Sequence, residues 1–180
     1  MTEQELLEML TDSSQRERAF QLLVQTYGER LYQHLYHLLH QAQDAEDVLQ
    51  NVFVKVYRGI GGFKGEARLY TWLYRIATNE ALSFLERKRR KRGWLSSLNS
   101  PAMTPYDPPA TEDGPDSETI NAKLESALAQ LPPKQRAVFC LRYYEERSYQ
   151  EISEMLGTSV GALKASYHHA VRKIEASLRA

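Results

Sequence analysis

The sequence predicts an all-α protein made of two small helical domains joined by an extended acidic linker. Apolar residues recur every three or four positions on both sides of a central segment, which is the spacing of amphipathic helices. The central segment, residues 96–119, contains five prolines, many small polar residues and no Lys or Arg, so it lacks the side chains for a core. Near the C-terminus, residues 148–173 have the pattern of two helices joined by a glycine turn.

Composition limits the class of protein. The 180 residues are 42% hydrophobic and 26% charged, as in soluble globular proteins. No apolar run is long enough to span a bilayer, and the acidic, polar start MTEQELLEML is unlike a secretory signal. Cys140 is the single cysteine, which excludes an internal disulfide and a cysteine-rich zinc site. We therefore expect a cytoplasmic protein.

The net charge of zero conceals an uneven distribution. Residues 1–95 carry 14 basic and 12 acidic side chains, and residues 123–180 carry 9 and 6. Residues 96–122 carry five acidic side chains and no basic one. Fully stretched, the linker would reach about 3.3 Å per residue, so it could hold the two domains several tens of ångströms apart.

The first domain, residues 1–95, contains several amphipathic helical segments. Asp12 or Ser13, Asp44 and Thr71 are the residue types that cap helix N-termini, so each is predicted to begin a helix. His34, His37 and His40 lie three residues apart on the second helix and share a face. A metal site is one interpretation, but neither a cysteine nor a close acidic residue completes a ligand set.

The segment GGFKGEARLYTW, with glycines at 61, 62 and 65, predicts a loop that carries Phe63 between glycines. Phe63 could approach a nucleic-acid base, or it could anchor the loop on the core. The loop is not a phosphate-binding P-loop, because the GxxxxGK[ST] pattern is absent.

A helix follows from Thr71 and ends in six consecutive cations, residues 87–92. Tyr74, Arg75 and Asn79 lie outside its apolar side. The cations would repel one another, so they are either a solvated helix end or a patch that binds phosphates. The aromatic and amide groups upstream favour the phosphate patch.

The second domain, residues 120–180, is predicted to contain four helices, the last two forming a helix-turn-helix. Gly157 suits the left-handed end of the first of these, and Ser159 suits the N-cap of the second. The outer face of the last helix is polar and basic, which favours DNA binding over an ordinary helical hairpin with a solvated face.

Three motifs, in order across the acidic linker, carry a resemblance to a known family. They are DAEDVLQNVFVKVYRGI, then FKGEARLYTWLYRIATNEAL with its basic tail, then LPPKQRAVFCLRYYEERSYQEISEMLGTSVGALKASYHHA. Over residues 15–178 the chain resembles bacterial RNA polymerase sigma factors of the extracytoplasmic-function (ECF) group, group 4 of the sigma-70 family. The resemblance implies a region 2-like bundle before the linker and a region 4-like helix-turn-helix domain after it.

The resemblance also implies roles for residues of the first domain. The helix 47–60 would bind the clamp helices of the polymerase β′ subunit, and the loop and helix that follow would read the −10 element around a flipped base. The expected polymerase contacts are Asp47, Gln50, Asn51, Val54 and Arg58. The expected −10 contacts are Phe63, Lys64, Gly65, Glu66, Tyr74, Arg75, Asn79, Arg87, Lys88, Arg89 and Arg90.

The resemblance implies that the second domain reads the −35 element and touches the β flap, while the acidic linker lies in polymerase channels that later hold RNA. The expected −35 contacts are Ser159, Val160, Gly161, Lys164, Ser166, His168, His169, Arg172 and Lys173. Many relatives have arginine where this chain has Ser166, so guanine readout by arginine is absent there. GALKASYHHA is similar to the variant found in the Bacteroidetes branch.

The expected function is therefore promoter recognition and melting by a non-enzymatic initiation factor that needs neither cofactor nor metal. A further expected partner is an anti-sigma factor, for which a membrane anchor is one alternative. The alternative is a stand-alone helix-turn-helix regulator, which leaves the basic helix 71–92 unexplained. A metal-dependent enzyme lacks a carboxylate–histidine constellation, and an adaptor would not account for two DNA-suited faces.

Overall fold

A computed structural model describes residues 2–96 and 117–180, and within these ranges every regular element is helical. The prediction of an all-α fold is confirmed. The helices are α1 (Glu3–Thr11), α2 (Arg16–Leu39), α3 (Ala42–Gly59), a 3-10 turn (Ile60–Gly62), α4 (Leu69–Ser96), α5 (Ser117–Ala129), α6 (Pro133–Tyr143), α7 (Tyr149–Leu156) and α8 (Val160–Arg179).

Helices α1 to α4 pack into the N-terminal domain, whose core is formed by the stripes that the apolar spacing predicts. The fully buried residues of this core include Leu23, Leu31 and Leu35 of α2, Val52 and Val56 of α3, and Leu73, Ala77 and Ala81 of α4. α2 ends at His40, which takes the left-handed conformation (φ 55°), and α3 begins two residues later. This short connection lets α2 and α3 pack against each other.

Helix starts in this domain differ from the predicted caps. The Asp12 carboxylate accepts hydrogen bonds from Ser14 and Gln15 within the turn, and α2 begins at Arg16 without a side-chain cap. α3 begins at Ala42, so Asp44 lies in its first turn rather than before it. Thr71 lies inside α4 and is buried. Residue type indicates which side chains are able to cap a helix, but it does not exclude a start set by tertiary contacts.

Helices α5 to α8 form the C-terminal domain around Leu128, Phe139, Leu141, Ile152 and Leu163, all of them buried. α5 begins at Ser117, three residues before the predicted start of this domain at residue 120. Residues 97–116 of the predicted linker lie outside the described residues.

The two domains pack against each other. One cluster of buried apolar side chains continues from Leu35 and Leu38 of α2 to Val138 and Leu141 of α6. α2 contacts α5 and α6, and α4 contacts α6 and α7. The sequence predicts that the linker could hold the domains apart, whereas in the structure they share a core. Amphipathic periodicity did not indicate this, because it shows which face is apolar and not which element covers that face.

Candidate polymerase and nucleic-acid interfaces

The predicted polymerase contacts all lie on the exposed face of α3. Asp47, Gln50, Asn51 and Arg58 are exposed, and Val54 keeps 48% of its surface accessible. The opposite face, with Val48, Val52 and Val56, is buried, so helical periodicity alone separates the two sets.

Tyr57 is an exception to the predicted apolar stripe of α3. It is 43% exposed, and the guanidinium of Arg16 lies 4.8 Å from the centre of its ring. Arg16 also donates a hydrogen bond of 2.5 Å to the Tyr57 carbonyl. Tyr57 therefore extends the exposed face beside Val54. Sequence reasoning missed this because it counted Tyr57, as an aromatic residue, in the buried stripe.

Phe63 anchors its loop on the protein. Its ring is half-buried and lies 5.2 Å from the ring of Trp72, beside a small cavity that Leu7 and Ile60 also line. Lys64, Gly65 and Glu66 are exposed. Gly65 has a φ of +71°, which side chains rarely adopt, so this position favours glycine. Phe63 could approach a base or anchor the loop on the core, and this packing is that of an anchor.

Of the three predicted −10 residues in the middle of α4, two are accessible. Arg75 and Asn79 are exposed, whereas Tyr74 is completely buried. The Tyr74 hydroxyl donates a hydrogen bond of 2.9 Å to Glu145, which belongs to the other domain. The sequence places Tyr74 outside the apolar side of α4, whereas in the structure it belongs to the buried core, with its ring 5.0 Å from that of His34. In this arrangement Tyr74 does not contact solvent.

The basic tail of α4 is partly engaged by acidic side chains. Lys88 lies 2.6 Å from Asp44 of α3, and Arg90 lies 2.7 Å from Glu86, one turn earlier. Arg87 and Arg89 are exposed. Lys88 therefore also joins α4 to α3, which the run of cations alone did not indicate.

The helix-turn-helix has the predicted caps. Gly157 ends α7 in the left-handed conformation (φ 65°), and the Ser159 hydroxyl accepts a hydrogen bond of 3.3 Å from the Ala162 amide. Ser148 and Glu151 form a reciprocal capping box at the start of α7. These local contacts fix the angle at which α8 leaves the turn.

The outer face of α8 presents most of the predicted −35 residues. Ser159, Gly161, Lys164, His168, His169, Arg172 and Lys173 are exposed, while Val160 and Ser166 are half-buried. Lys164 lies 5.9 Å from the Tyr149 ring, and Lys173 donates to Gln135. Leu163, Ala170 and Ile174 face the core. Ser166 instead lines a cavity of about 400 Å³ between the domains, together with Asn79 of α4.

A cluster of polar side chains at the end of α2, which we call the histidine cluster, joins the two domains. Nδ1 of His37 and Nδ1 of His40 each lie 3.1 Å from a different oxygen of Glu125 on α5. Tyr144 donates to the same carboxylate at 3.2 Å, and its ring stacks on His37 at 3.8 Å. Burial alone would raise the pKa of Glu125, but hydrogen bonds from the two histidines and their charge lower it to about 2.

A second group, the tyrosine cluster, lies at the start of α4. The hydroxyls of Tyr70 and Tyr74 both donate to one oxygen of Glu145, at 2.8 and 2.9 Å. The Arg147 guanidinium lies 4.2 Å from the Tyr70 ring, and the two tyrosine rings stack at 4.1 Å. Burial raises the pKa of both phenols above the usual range, so they remain hydrogen-bond donors.

Arg136 of α6 is buried and bonds to the ends of two helices. Its guanidinium donates to the carbonyls of Leu128, Ala129 and Leu131 at the end of α5. It also donates to the carbonyl of Leu38 at the end of α2, at 2.6 Å. Burial lowers its pKa, and the carbonyl oxygens compensate for lost water. Sequence reasoning did not select Arg136, although its spacing from Cys140 places it on the inner face.

His34 and His37 of α2 and the capping residue His40 make two different kinds of contact. His34 is fully buried, and its Nε2 lies 2.8 Å from the Thr78 hydroxyl. Burial lowers the pKa of His34 to about 3, and the neighbouring His37 lowers it further in the same direction. His37 and His40 contact Glu125, as described above. A single metal site shared by all three histidines is therefore not the arrangement seen.

The described ranges contain no helix that is both long and apolar enough to cross a membrane.

Known proteins resemble both halves of the chain. The family model Sigma-70 region 2 matches residues 23–91, and Sigma-70, region 4 matches residues 121–174. The RNA polymerase sigma-H factor of Pseudomonas aeruginosa is 32% identical over 187 residues, which cover 99% of this chain and 97% of that protein. The chain belongs to the sigma-70 family. As a sigma factor it is a transcription initiation factor, and the stand-alone regulator is not favoured.

Further relatives place this sigma factor in the extracytoplasmic-function group. The ECF RNA polymerase sigma factor SigW of Bacillus subtilis is 32% identical over 168 residues, 89% of each chain. The sigma factor RpoE of Bartonella quintana, solved with the anti-sigma factor NepR, matches with a TM-score of 0.69 at 21% identity. The match covers 89% of this chain and 96% of that one, and it supports the fold. The Bacteroidetes-like character of α8 stays a prediction.

Proposed function

We propose that residues 1–95 of this sigma factor bind core polymerase and open the −10 element, and that residues 120–180 read the −35 element. The single observation that carries the proposal is the placement of two separate polar, basic faces on one chain. One is the exposed part of α4 around Asn79 and Arg89, and the other is the outer face of α8. The residue ranges of the two sigma-70 regions fall within these two segments.

The −10 role rests on the chemistry that α4 and its preceding loop make accessible. Asn79 offers an amide, which can donate and accept hydrogen bonds with a base edge. Arg87 and Arg89 extend from the same helix and can contact phosphates. Lys64 on the anchored loop supplies a further cation close to the start of α4. A separated strand bound here would be held by phosphate contacts and read by Asn79.

The −35 role rests on the outer face of α8, where Lys164, His168 and Arg172 follow one another at intervals of four residues. A helix with this spacing aligns the three side chains along one edge, as major-groove recognition requires. Ser166 is half-buried and lines a cavity together with Asn79, so it is a weaker base-reading candidate than these three in the packed arrangement.

Core polymerase is the proposed partner of the exposed α3 face, which combines one carboxylate, two amides, Val54 and Arg58. An anti-sigma factor is a further proposed partner, since the solved relative was crystallised with one. The proposed role is binding and strand separation rather than a catalysed reaction, and it places the protein in the cytoplasm with polymerase and promoters.

Transcription in vitro tests this function. The purified chain would be added to core polymerase of a related bacterium with a library of upstream sequences, and transcripts would be mapped at their 5′ ends. We expect start sites that depend on the added chain and share two sequence elements. Absence of any chain-dependent start site over the library would refute the proposal. Core polymerase alone and core polymerase with the Asn79→Ala chain are the controls.

A further inference from the structure

We propose that Trp94, near the end of α4, is a base-stacking residue, and that the separated DNA strand read by Asn79 continues along α4 to reach it. The ligand is single-stranded DNA, whose unpaired bases present the flat faces on which an indole stacks. This inference rests on the proposed function, because it takes Asn79 and the cations of α4 as the −10 face.

Trp94 is the most exposed of the large apolar side chains in the described ranges. It keeps 67% of its surface accessible, on a helix that continues without a break from Leu69 to Ser96. A single exposed apolar residue is not unusual by itself. The charges before Trp94 and its position on the helix are what indicate a binding role.

The six cations of residues 87–92 come directly before Trp94, with one glycine between. All of them except Lys88 are exposed. Proteins that bind single strands combine cations, which follow the phosphates, with aromatic rings, which stack on the bases. A run of like charges opposes an apolar protein partner at this place, whereas a polyanionic strand complements it.

The helical repeat of α4 places Trp94 on the same side as Asn79. At 100° per residue, Arg90 lies about 20° and Trp94 about 60° around the helix from Asn79. The same count puts Lys88 about 180° away, and Lys88 pairs with Asp44 of α3. Asn79, Arg90 and Trp94 therefore form one continuous edge of the helix.

The length of this edge suits a strand of several nucleotides. Asn79 and Trp94 are 15 positions apart, which at 1.5 Å per residue is about 22 Å. At 3.4 Å per stacked nucleotide, this distance holds roughly six or seven nucleotides. Glu86 also lies on the edge, but its charge is offset by Arg90, 2.7 Å away. The base at Trp94 is therefore a different one from the base read by Asn79.

Gly93 leaves room for a base beside the indole. Glycine weakens a helix relative to alanine, so a glycine inside a helix usually meets a packing need. No atom of the described residues comes within 4 Å of the place that a Cβ would take at Gly93, its chain neighbours and its own helix backbone set aside. Gly93 lies about 40° from Asn79 by the same count, so this space borders the edge.

The first test measures binding of a fluorescein-labelled oligothymidylate to the full chain by fluorescence anisotropy. A strand of about 16 nucleotides spans the edge and carries no promoter sequence. The variants are Trp94→Ala and Trp94→Phe. Ile120→Ala, at a position of α5 that is 62% exposed, is the matched control. Circular dichroism establishes that each variant keeps its helix content.

We expect Trp94→Ala to weaken binding about tenfold and Trp94→Phe to weaken it about threefold or less, since a phenyl ring still stacks on a base. Ile120→Ala should bind as the wild type does. The slope of log affinity against log salt should keep its wild-type value in Trp94→Ala, because stacking releases no counterions. A merely structural role of Trp94 at the helix end would instead disturb the cations and reduce this slope.

The second test locates the stacked base on a −10 strand taken from a promoter found by the transcription experiment. Each nucleotide is replaced in turn by an abasic one, and binding to the chain in complex with core polymerase is measured for the wild type and Trp94→Ala. One abasic position should weaken binding of the wild type and not of Trp94→Ala. It should lie roughly six or seven nucleotides from the position that is equivalent for Asn79→Ala.

Three results would overturn the inference. The first is equal affinity of the wild type and Trp94→Ala for oligothymidylate. The second is an equal loss in Trp94→Ala and Trp94→Phe together with a lower salt slope. The third is an abasic scan in which the wild type and Trp94→Ala respond alike at every position. Failure of the proposed function looks different: no promoter is transcribed, while the oligothymidylate titrations still report whether Trp94 contributes to strand binding.

Discussion

The carboxylate of Glu3 accepts a hydrogen bond of 2.6 Å from the amide of Leu69, so the first helix of the chain caps the fourth. The first amides of a helix lack partners inside the helix, and a carboxylate there also complements the helix dipole. This contact fixes the end of the loop that carries Phe63 and Lys64. It links residues 66 positions apart.

Replacing Glu3 by alanine should lower the free energy of unfolding by about 1 kcal/mol, the usual effect of losing a helix cap. Urea unfolding followed by circular dichroism measures this. Glu3→Gln, which keeps an acceptor oxygen, should lose less. Glu8→Ala, at an exposed position of the same helix, is the control and should have little effect. Equal losses in the Glu3 and Glu8 variants would contradict the capping role.

His34 should make stability depend on pH. Its folded pKa of about 3 lies below the ordinary value of 6.5, so the unfolded chain binds a proton more readily. The stability due to neutral His34 is therefore present above pH 6.5 and is lost as pH falls toward 3, by roughly 3–5 kcal/mol in total. His34→Gln should show a flatter profile over this range. Exposed His168→Gln should retain the wild-type slope, and an unchanged slope in His34→Gln would exclude this role.

Replacing Arg136 by methionine should destabilise the chain by about 3 kcal/mol or more, because buried carbonyls at two helix ends lose their donor. The stability of Arg136→Lys should lie between those of the wild type and Arg136→Met, since an ammonium cannot reach all the carbonyls that the guanidinium contacts. Urea unfolding again gives the difference. The exposed Arg172→Met is the matched control. A loss no greater than that of Arg172→Met would show that the carbonyl contacts contribute little.

Asn79→Ala should weaken binding of the −10 strand about tenfold, which corresponds to about 1.4 kcal/mol, while affinity for core polymerase stays unchanged. Fluorescence anisotropy with labelled DNA and with labelled core measures the two affinities separately. Ser83→Ala, one turn further along α4 and exposed, is the control. Loss of core binding in Asn79→Ala would mean that the division between the α3 and α4 faces is wrong.

The cations of the α4 tail should differ in their contribution to salt dependence. Changing Arg87 and Arg89 to alanine should reduce the slope of log affinity against log salt by roughly 1–2 for single-stranded DNA. Lys88→Ala should change the slope less than either arginine, because its amine already pairs with Asp44. Titrations at several salt concentrations give the slopes. Identical slopes for wild type and the double variant would indicate a tail that does not contact phosphates.

Local features of the fold followed from the sequence. The Gly157 turn, the Ser159 cap and the inward stripe of α8 depend on residues within a few positions of one another. The exposed α3 face followed from the same reasoning, because helical periodicity separates an apolar stripe from the rest.

Long-range contacts did not follow from the sequence. The hydroxyl of Tyr74 donates to Glu145, 71 residues away, and His37 pairs with Glu125, 88 residues away. No local pattern marks these pairs. A tyrosine on a polar helix side looks the same whether solvent or another domain covers it. The sequence therefore predicted which residues form the candidate −10 face, but not which of them solvent can reach.

The left-handed residue that ends α2 is a histidine, and this has a consequence for how the chain tolerates change. Glycine or asparagine would end the helix equally well or better at φ 55°. Either one would, however, remove the imidazole that lies 3.1 Å from Glu125. His40 thus ends α2 and also contacts Glu125 of the other domain. A substitution there that improves the backbone would leave the helix content unchanged and would still remove one of the two histidine contacts with Glu125.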